Sequence, residues 1–200
     1  MNNNTSFDMN QEPIVIAAMD YMKDAHRNHA LKPDPELGGH RRKYSKEHYE
    51  VHPIEVAEFV SHTIHADAIT ISVALLHDVL EDTYKTEEQM FEYFSNQFGE
   101  DIARAVVDGV LEVTDISKPE DGNRAFRKNM DKEHAWNASP ERQTVKLADI
   151  KSNMPSIVKH DSGFAKKWVK EKRDVLPGLT KGDQRLWNEV NKMIEGFFKR

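Results

Sequence analysis

Apolar residues recur every three or four positions along most of the chain, and no useful stretch alternates with a period of two. That pattern predicts helices. Ile14, Ala17, Ala18, Tyr21, Met22 and Ala25 form a stripe behind Pro13, which suits a first helical turn, and this helix should end near Arg27. Residues 31–41, LKPDPELGGHR, carry two prolines and two glycines and read as a loop. Pro53 opens the next helix, with Ile54, Val56, Ala57, Phe59 and Val60 inward. A helix from Ala68 to about Glu81 follows, almost wholly apolar over 69–76, which predicts a central buried element.

Thr86-Glu87-Glu88-Gln89 has the form of a capping box and opens a helix to Phe98, broken by Gly99. Ile102, Val106, Val107, Val110, Leu111 and Val113 suit another helix. Pro119 and Gly122 place a loop over 115–123, and a polar helix is expected over 124–135. Ser139-Pro140-Glu141 starts a helix running to about His160, and two more are expected near 163–174 and 184–198. The reading is an all-α chain with one domain over 12–200, preceded by a flexible polar stretch over 1–11.

Composition narrows the chemistry. The chain has 200 residues and no cysteine, which excludes disulfides, thiolate nucleophiles and cysteine zinc sites. Any transition metal must be held by His, Asp or Glu. The formal charge of -6 argues against nucleic acid as a partner. No apolar run approaches a membrane span, and the opening residues lack a signal-peptide pattern, so a cytoplasmic setting is expected. No feature fixes the oligomeric state. Basic residues do cluster, at 40–43 and 124–132.

Candidate chemistry begins where the central apolar helix ends, at Leu76-His77-Asp78-Val79-Leu80-Glu81-Asp82-Thr83. His77 and Glu81 are four apart, as are Asp78 and Asp82, so each pair is expected to share a helix face. Ionisable groups at the end of a buried run need a metal or one another. A second piece is Tyr49-Glu50-Val51-His52-Pro53, where the proline sets His52 at a helix entrance. A third is Lys146-Leu147-Ala148-Asp149-Ile150-Lys151-Ser152-Asn153. There Lys146, Asp149 and Asn153 form a polar stripe on a helix that Leu147, Ala148 and Ile150 bury.

Three motifs in order carry a resemblance: Arg-Arg-Lys followed by Tyr-x-x-His-Pro (41–53), Ala-Leu-Leu-His-Asp-x-x-Glu-Asp-Thr (74–83), and Lys-Leu-Ala-Asp with an Asn four residues on (146–153). The Glu-Val-Thr-Asp of 112–115 also fits. From about residue 12 to 175 the chain resembles the HD superfamily. More specifically, it looks like the hydrolase domain of RelA/SpoT-type alarmone enzymes and their small stand-alone relatives of the metazoan SpoT homologue type. The resemblance implies an HD-type helical bundle with His52, His77, Asp78 and Asp149 as metal ligands. Two nitrogen and two oxygen donors suit Mn2+, with Fe2+ or Zn2+ as alternatives. It also implies that Glu81 and Asp82 orient water and shuttle protons.

Arg42 would lie over a nucleobase and Lys43 near phosphate, while Asn153 would face the nucleoside. Lys146, Arg124 and Arg127 would neutralise phosphate. The implied reaction removes the 3′-pyrophosphate of guanosine tetra- or pentaphosphate. The alternatives are another nucleotide substrate, such as a nucleoside monophosphate or the 2′-phosphate of NADPH, or a catalytically silent nucleotide-binding module. The chain departs from the family pattern at 31–40, which has the look of an insertion, at Lys46-Glu47-His48, and over 117–138. Those departures border the substrate region and leave the metal motifs intact. Trp136 and Phe126 are the alternative base contacts.

Overall fold

The computed structural model describes residues 7–9 and 11–199. The helices are α1 (Pro13–Asn28), α2 (Val51–Ser61), α3 (Ala68–Leu76), α4 (Val79–Asp82), α5 (Glu87–Phe98), α6 (Glu100–Val113), α7 (Arg124–Asn137), α8 (Pro140–His160), α9 (Ser162–Val175) and α10 (Gln184–Phe198). Short 3-10 turns lie at Pro119–Asp121 and Leu176–Gly178. Among the described residues there is no strand, only the isolated bridges Ala30–Thr83 and Arg41–His48. The expected all-α class is what the structure shows. Of the polar opening, residues 1–6 and 10 lie outside the described residues. Phe7 donates its N–H to Ser61 O and packs, with Met9, against the core.

Helix α3 is the axis of the bundle. Asp67 caps it by accepting the Thr70 N–H at 2.7 Å. Ile71, Val73, Ala74, Leu75 and Leu76 are fully buried, because α1, α2, α6 and α8 surround the helix. Helices α5 and α6 are joined at Gly99, whose φ of 85° is a left-handed value that glycine adopts without strain. The Thr86–Gln89 capping box forms as expected, with both reciprocal bonds.

The central helix is shorter than its apolar run predicts. The helix expected over 68–81 breaks at His77-Asp78, between α3 and the single turn α4. His77 Nδ1 donates to Ala74 O at 2.7 Å, the carbonyl that the Asp78 N–H would use in an unbroken helix. Asp78 sits at φ -98° and ψ -2°, and the helix restarts at Val79. The expected face-sharing of His77 with Glu81 and of Asp78 with Asp82 is therefore not that of one straight helix. Helix α2 starts at Val51, earlier than Pro53 suggested, and so places His52 in its first turn. A proline is tolerated there because first-turn N–H groups have no helical acceptor.

The loop after α1 folds over the site. Its Arg-Arg-Lys run forms a small hairpin, with Arg42 N–H to Glu47 O at 3.0 Å and Tyr49 N–H to His40 O at 3.1 Å. Below α7, the Trp136 indole donates to Val175 O at 2.7 Å and lies flat against Gly178. A Cβ at residue 178 would overlap that ring. Gly178→Ala should therefore lower stability by about 1–3 kcal/mol, the usual cost of overpacking. Urea unfolding checks this, and an unchanged midpoint would mean the indole is free to move.

Candidate active site

Three elements converge at one end of α3. The first turn of α2 supplies His52, the break supplies His77 and Asp78, and α8 supplies Asp149. His52 Nε2 lies 3.3 Å from His77 Nε2, 3.4 Å from Asp78 Oδ2 and 3.3 Å from Asp149 Oδ1. His77 Nε2 lies 3.1 Å from Asp78 Oδ2 and 3.9 Å from Asp149 Oδ1. Ligand atoms of His52, His77 and Asp149 all fall within 4.8 Å of one another. Both histidines are buried, at 1% and 3% exposure.

The outer nitrogens decide what the inner ones can do. His77 Nδ1 faces a backbone carbonyl, which can only accept, so Nδ1 carries the hydrogen. His52 Nδ1 lies 2.8 Å from Ser152 Oγ, whose own hydrogen goes to Glu55 Oε2, so Nδ1 again donates. In the neutral rings, each Nε2 then presents a lone pair to the other and to two carboxylates. Such a set needs either added protons or a cation. Without a cation the rings take protons. Burial opposes charge on His77, but Asp78 and Asp149 override it and lift its pKa to about 9. His52 is likewise raised, against burial, by hydrogen bonds to Asp149 and Asp78. The grouped atoms of His52, His77 and Asp149, with their fixed outer contacts, could hold a divalent metal in place of those protons, and Asp78 borders them.

The carboxylates are also held. Asp78 Oδ2 accepts the Tyr49 hydroxyl at 2.6 Å, and Asp149 Oδ1 accepts Asn153 Nδ2 at 2.6 Å. Asn153 Oδ1 in turn accepts Arg42 Nη1 at 3.0 Å, tying the loop to the cluster. From there a cleft of about 920 Å3 runs between α7, α8 and α9, with Asp78, Glu81, Asp82, Lys128, Lys146 and Asp149 in its wall. Burial pushes the Glu81 carboxyl up to about 7 against the nearby Lys146 charge. Burial and the Asp78 charge push Asp82 up to about 6. Glu81 Oε1 accepts the Asp115 N–H at 2.7 Å. Lys128 bonds Asp115 at 2.6 Å and Asp131 at 2.9 Å, and Lys146 lies 3.5 Å from Asp115.

A family model described as HD domain matches residues 18–167. The chain belongs to the HD domain family. Among curated relatives of this HD domain, guanosine-3′,5′-bis(diphosphate) 3′-pyrophosphohydrolase MESH1 of Xenopus tropicalis is 29% identical over 185 residues, covering 92% of this chain and 89% of the relative. MESH1 of Danio rerio is 33% identical over 145 residues, covering 72% and 69%. A solved structure described as a metazoan ortholog of SpoT that hydrolyzes ppGpp superposes with a TM-score of 0.68 at 22% identity, covering 92% of this chain and 96% of that one. At that identity the superposition shows the shared fold.

Within the HD domain, His52, His77, Asp78 and Asp149 come together as a cluster, and Glu81, Asp82, Asn153 and Lys146 line the adjoining cleft. Arg124 also lines it, held in a two-pronged pair with Glu171 at 2.8 Å. Arg127 lines a side pocket of about 350 Å3 beside Glu81 and Lys128. Arg42 and Lys43 lie outside the cleft wall, and Lys43 pairs with Asp161 at 3.0 Å. Trp136 is spent on the 3-10 turn, while Phe126 is exposed. Sequence reasoning gave no role to Tyr49, Lys128 or Ser152. Tyr49 stood inside a quoted motif, and its position three residues before His52 was the available signal.

Glu81 carries a stability cost whose sign follows from its pKa. The folded state binds its proton more tightly than the unfolded chain does, so stability falls as pH rises from about 4.5 and the penalty is complete above about 7. Metal-free Glu81→Gln should therefore melt higher than wild type at pH 8, with the gain shrinking as pH falls toward 5. Thermal unfolding across that range checks it. A gain that grows toward low pH would contradict the burial of this carboxyl.

Proposed function

We propose that this HD domain is a metal-dependent phosphohydrolase that removes the 3′-pyrophosphate of guanosine tetra- or pentaphosphate, yielding GDP or GTP and pyrophosphate. One observation carries the reading. The donor cluster opens directly into a cleft whose wall holds Lys128, Lys146, Arg124, Lys167, Lys170 and Lys172, interleaved with Asp115, Asp131, Glu171 and Asp174. A multiply charged phosphate arm suits that combination. The names of the MESH1 relatives supply the nucleotide.

His52, His77, Asp78 and Asp149 would hold one divalent ion, with Mn2+ the best match to mixed nitrogen and oxygen donors and Fe2+ or Zn2+ next. When bound, the ion supplies Lewis acidity toward a phosphoryl oxygen and makes water more acidic. In the reaction, water adds to the phosphorus attached to the 3′ oxygen, that P–O bond breaks, and the 3′ oxygen takes a proton. Asp82, ionised above about pH 6, is suited to accept the proton of water. Glu81, protonated up to about pH 7, is suited to deliver one. Its Oε1 is tied to Asp115 N–H, so Oε2 is the atom that carries the proton. Lys146 and Lys128 offset the phosphate charge. Arg42, whose guanidinium lies 5.9 Å over the Tyr49 ring, offers a flat cation for the base, with Asn153 beside it.

The test is product analysis with Mn2+ and a panel of ppGpp, pppGpp, nucleoside monophosphates and NADPH. GDP plus pyrophosphate from ppGpp is the expected result. Orthophosphate from a monophosphate or from NADPH would replace the substrate assignment, and no turnover by metal-loaded protein would make it a silent binding module. Glu81→Gln and Asp82→Asn should keep metal and ppGpp binding and lose at least ~100-fold in kcat. Near wild-type rates in both would remove these carboxylates from the chemistry.

A further inference from the structure

The two histidines of the cluster are steadied in different ways. His77 leans on a neutral backbone carbonyl of its own helix. His52 leans on a chain of side chains: its Nδ1 lies 2.8 Å from Ser152 Oγ, and that hydroxyl donates to Glu55 Oε2. Glu55 stands three residues after His52 on α2, and Ser152 stands three residues after Asp149 on α8. The bonds therefore cross the α2–α8 contact directly behind the cluster. Ser152 is only 6% exposed, and among the described residues no cation is paired with Glu55.

A hydroxyl has one hydrogen to give. Ser152 gives it to the stronger acceptor, the Glu55 carboxylate, and so must accept from His52. That fixes the hydrogen on Nδ1 and leaves Nε2 to face Asp78, Asp149 and His77. The Glu55 charge, relayed through the hydroxyl, also makes the imidazole a better electron donor. We propose that Glu55 and Ser152 form a carboxylate–hydroxyl–imidazole relay that sets the tautomer and ring plane of His52 and strengthens Nε2 as a metal ligand. This inference rests on the reading of the cluster as a metal site. Both are positioning residues, since neither reaches the cleft wall. The competing role is a plain cross-link between α2 and α8.

Mn2+ affinity separates the two roles. The full chain is titrated with Mn2+, the free ion being read by electron paramagnetic resonance, for wild type, Ser152→Ala, Ser152→Thr and Glu55→Gln. Thermal unfolding of the same metal-free proteins runs alongside. The relay predicts that Ser152→Ala raises the Mn2+ Kd by about 10–100-fold. Glu55→Gln should weaken binding less, because a neutral amide still accepts the serine hydrogen, and Ser152→Thr should restore it. A lower metal-free Tm with an unchanged Kd in Ser152→Ala makes the pair a cross-link and overturns the proposal. If Ser152→Ala fails to fold, an unchanged Kd in Glu55→Gln overturns it instead. Wild type that binds no Mn2+ defeats the metal reading itself. Wild type that binds, with binding lost in His77→Ala but unaffected in Ser152→Ala, defeats the relay alone.

Discussion

Two imidazole nitrogens, His52 Nε2 and His77 Nε2, face each other and the carboxylates of Asp78 and Asp149 across 3.1–3.9 Å at the end of α3. Lone pairs at that range repel unless positive charge lies among them. The surrounding architecture serves to hold this arrangement against that repulsion. The His77 ring takes a backbone carbonyl and breaks the helix, Tyr49 and Asn153 donate to the carboxylates, and Ser152 receives the outer hydrogen of His52. The apolar bundle around α3 then fixes the three elements that carry the donors.

The same arrangement explains the electrostatics of the cleft. Burial and the Asp78 charge raise Asp82, and burial raises Glu81 beside it. Carboxyls poised near neutrality are a burden to the fold and an asset to proton transfer. Lys146, on the same helix as Asp149, partly offsets that burden at Glu81. Asp115 is the hinge of the charge balance: it pairs with Lys128 and Lys146 and gives its backbone N–H to Glu81. Cations and carboxylates thus interleave along the cleft of a chain whose formal charge is -6.

Much of this was legible in the residues. The three- and four-residue apolar spacing located the helices, and the Thr86 capping box and Gly99 placed two ends correctly. The histidine–aspartate motifs picked out the donors that the fold brings together. The break at His77-Asp78 was not legible, because an apolar run ending in charged residues of ordinary helix propensity reads as one helix. It arises from a side chain taking a backbone acceptor, a competition that periodicity does not record. Nor could spacing reveal Ser152 and Glu55, which meet only when α2 packs on α8. The positions of Lys43 and Trp136 likewise depend on Asp161 and Gly178, far away in sequence.

The central claim is that the cluster is a nitrogen- and oxygen-lined metal centre rather than a network of buried protons. Electron spin echo modulation of the Mn2+-loaded protein tests it most directly, because the ion reports the nitrogens bonded to it. The account predicts one Mn2+ per chain with coupling to two imidazole nitrogens, and loss of the bound ion in His77→Ala. Stoichiometric Mn2+ that shows no nitrogen coupling would place the ion elsewhere and contradict the account.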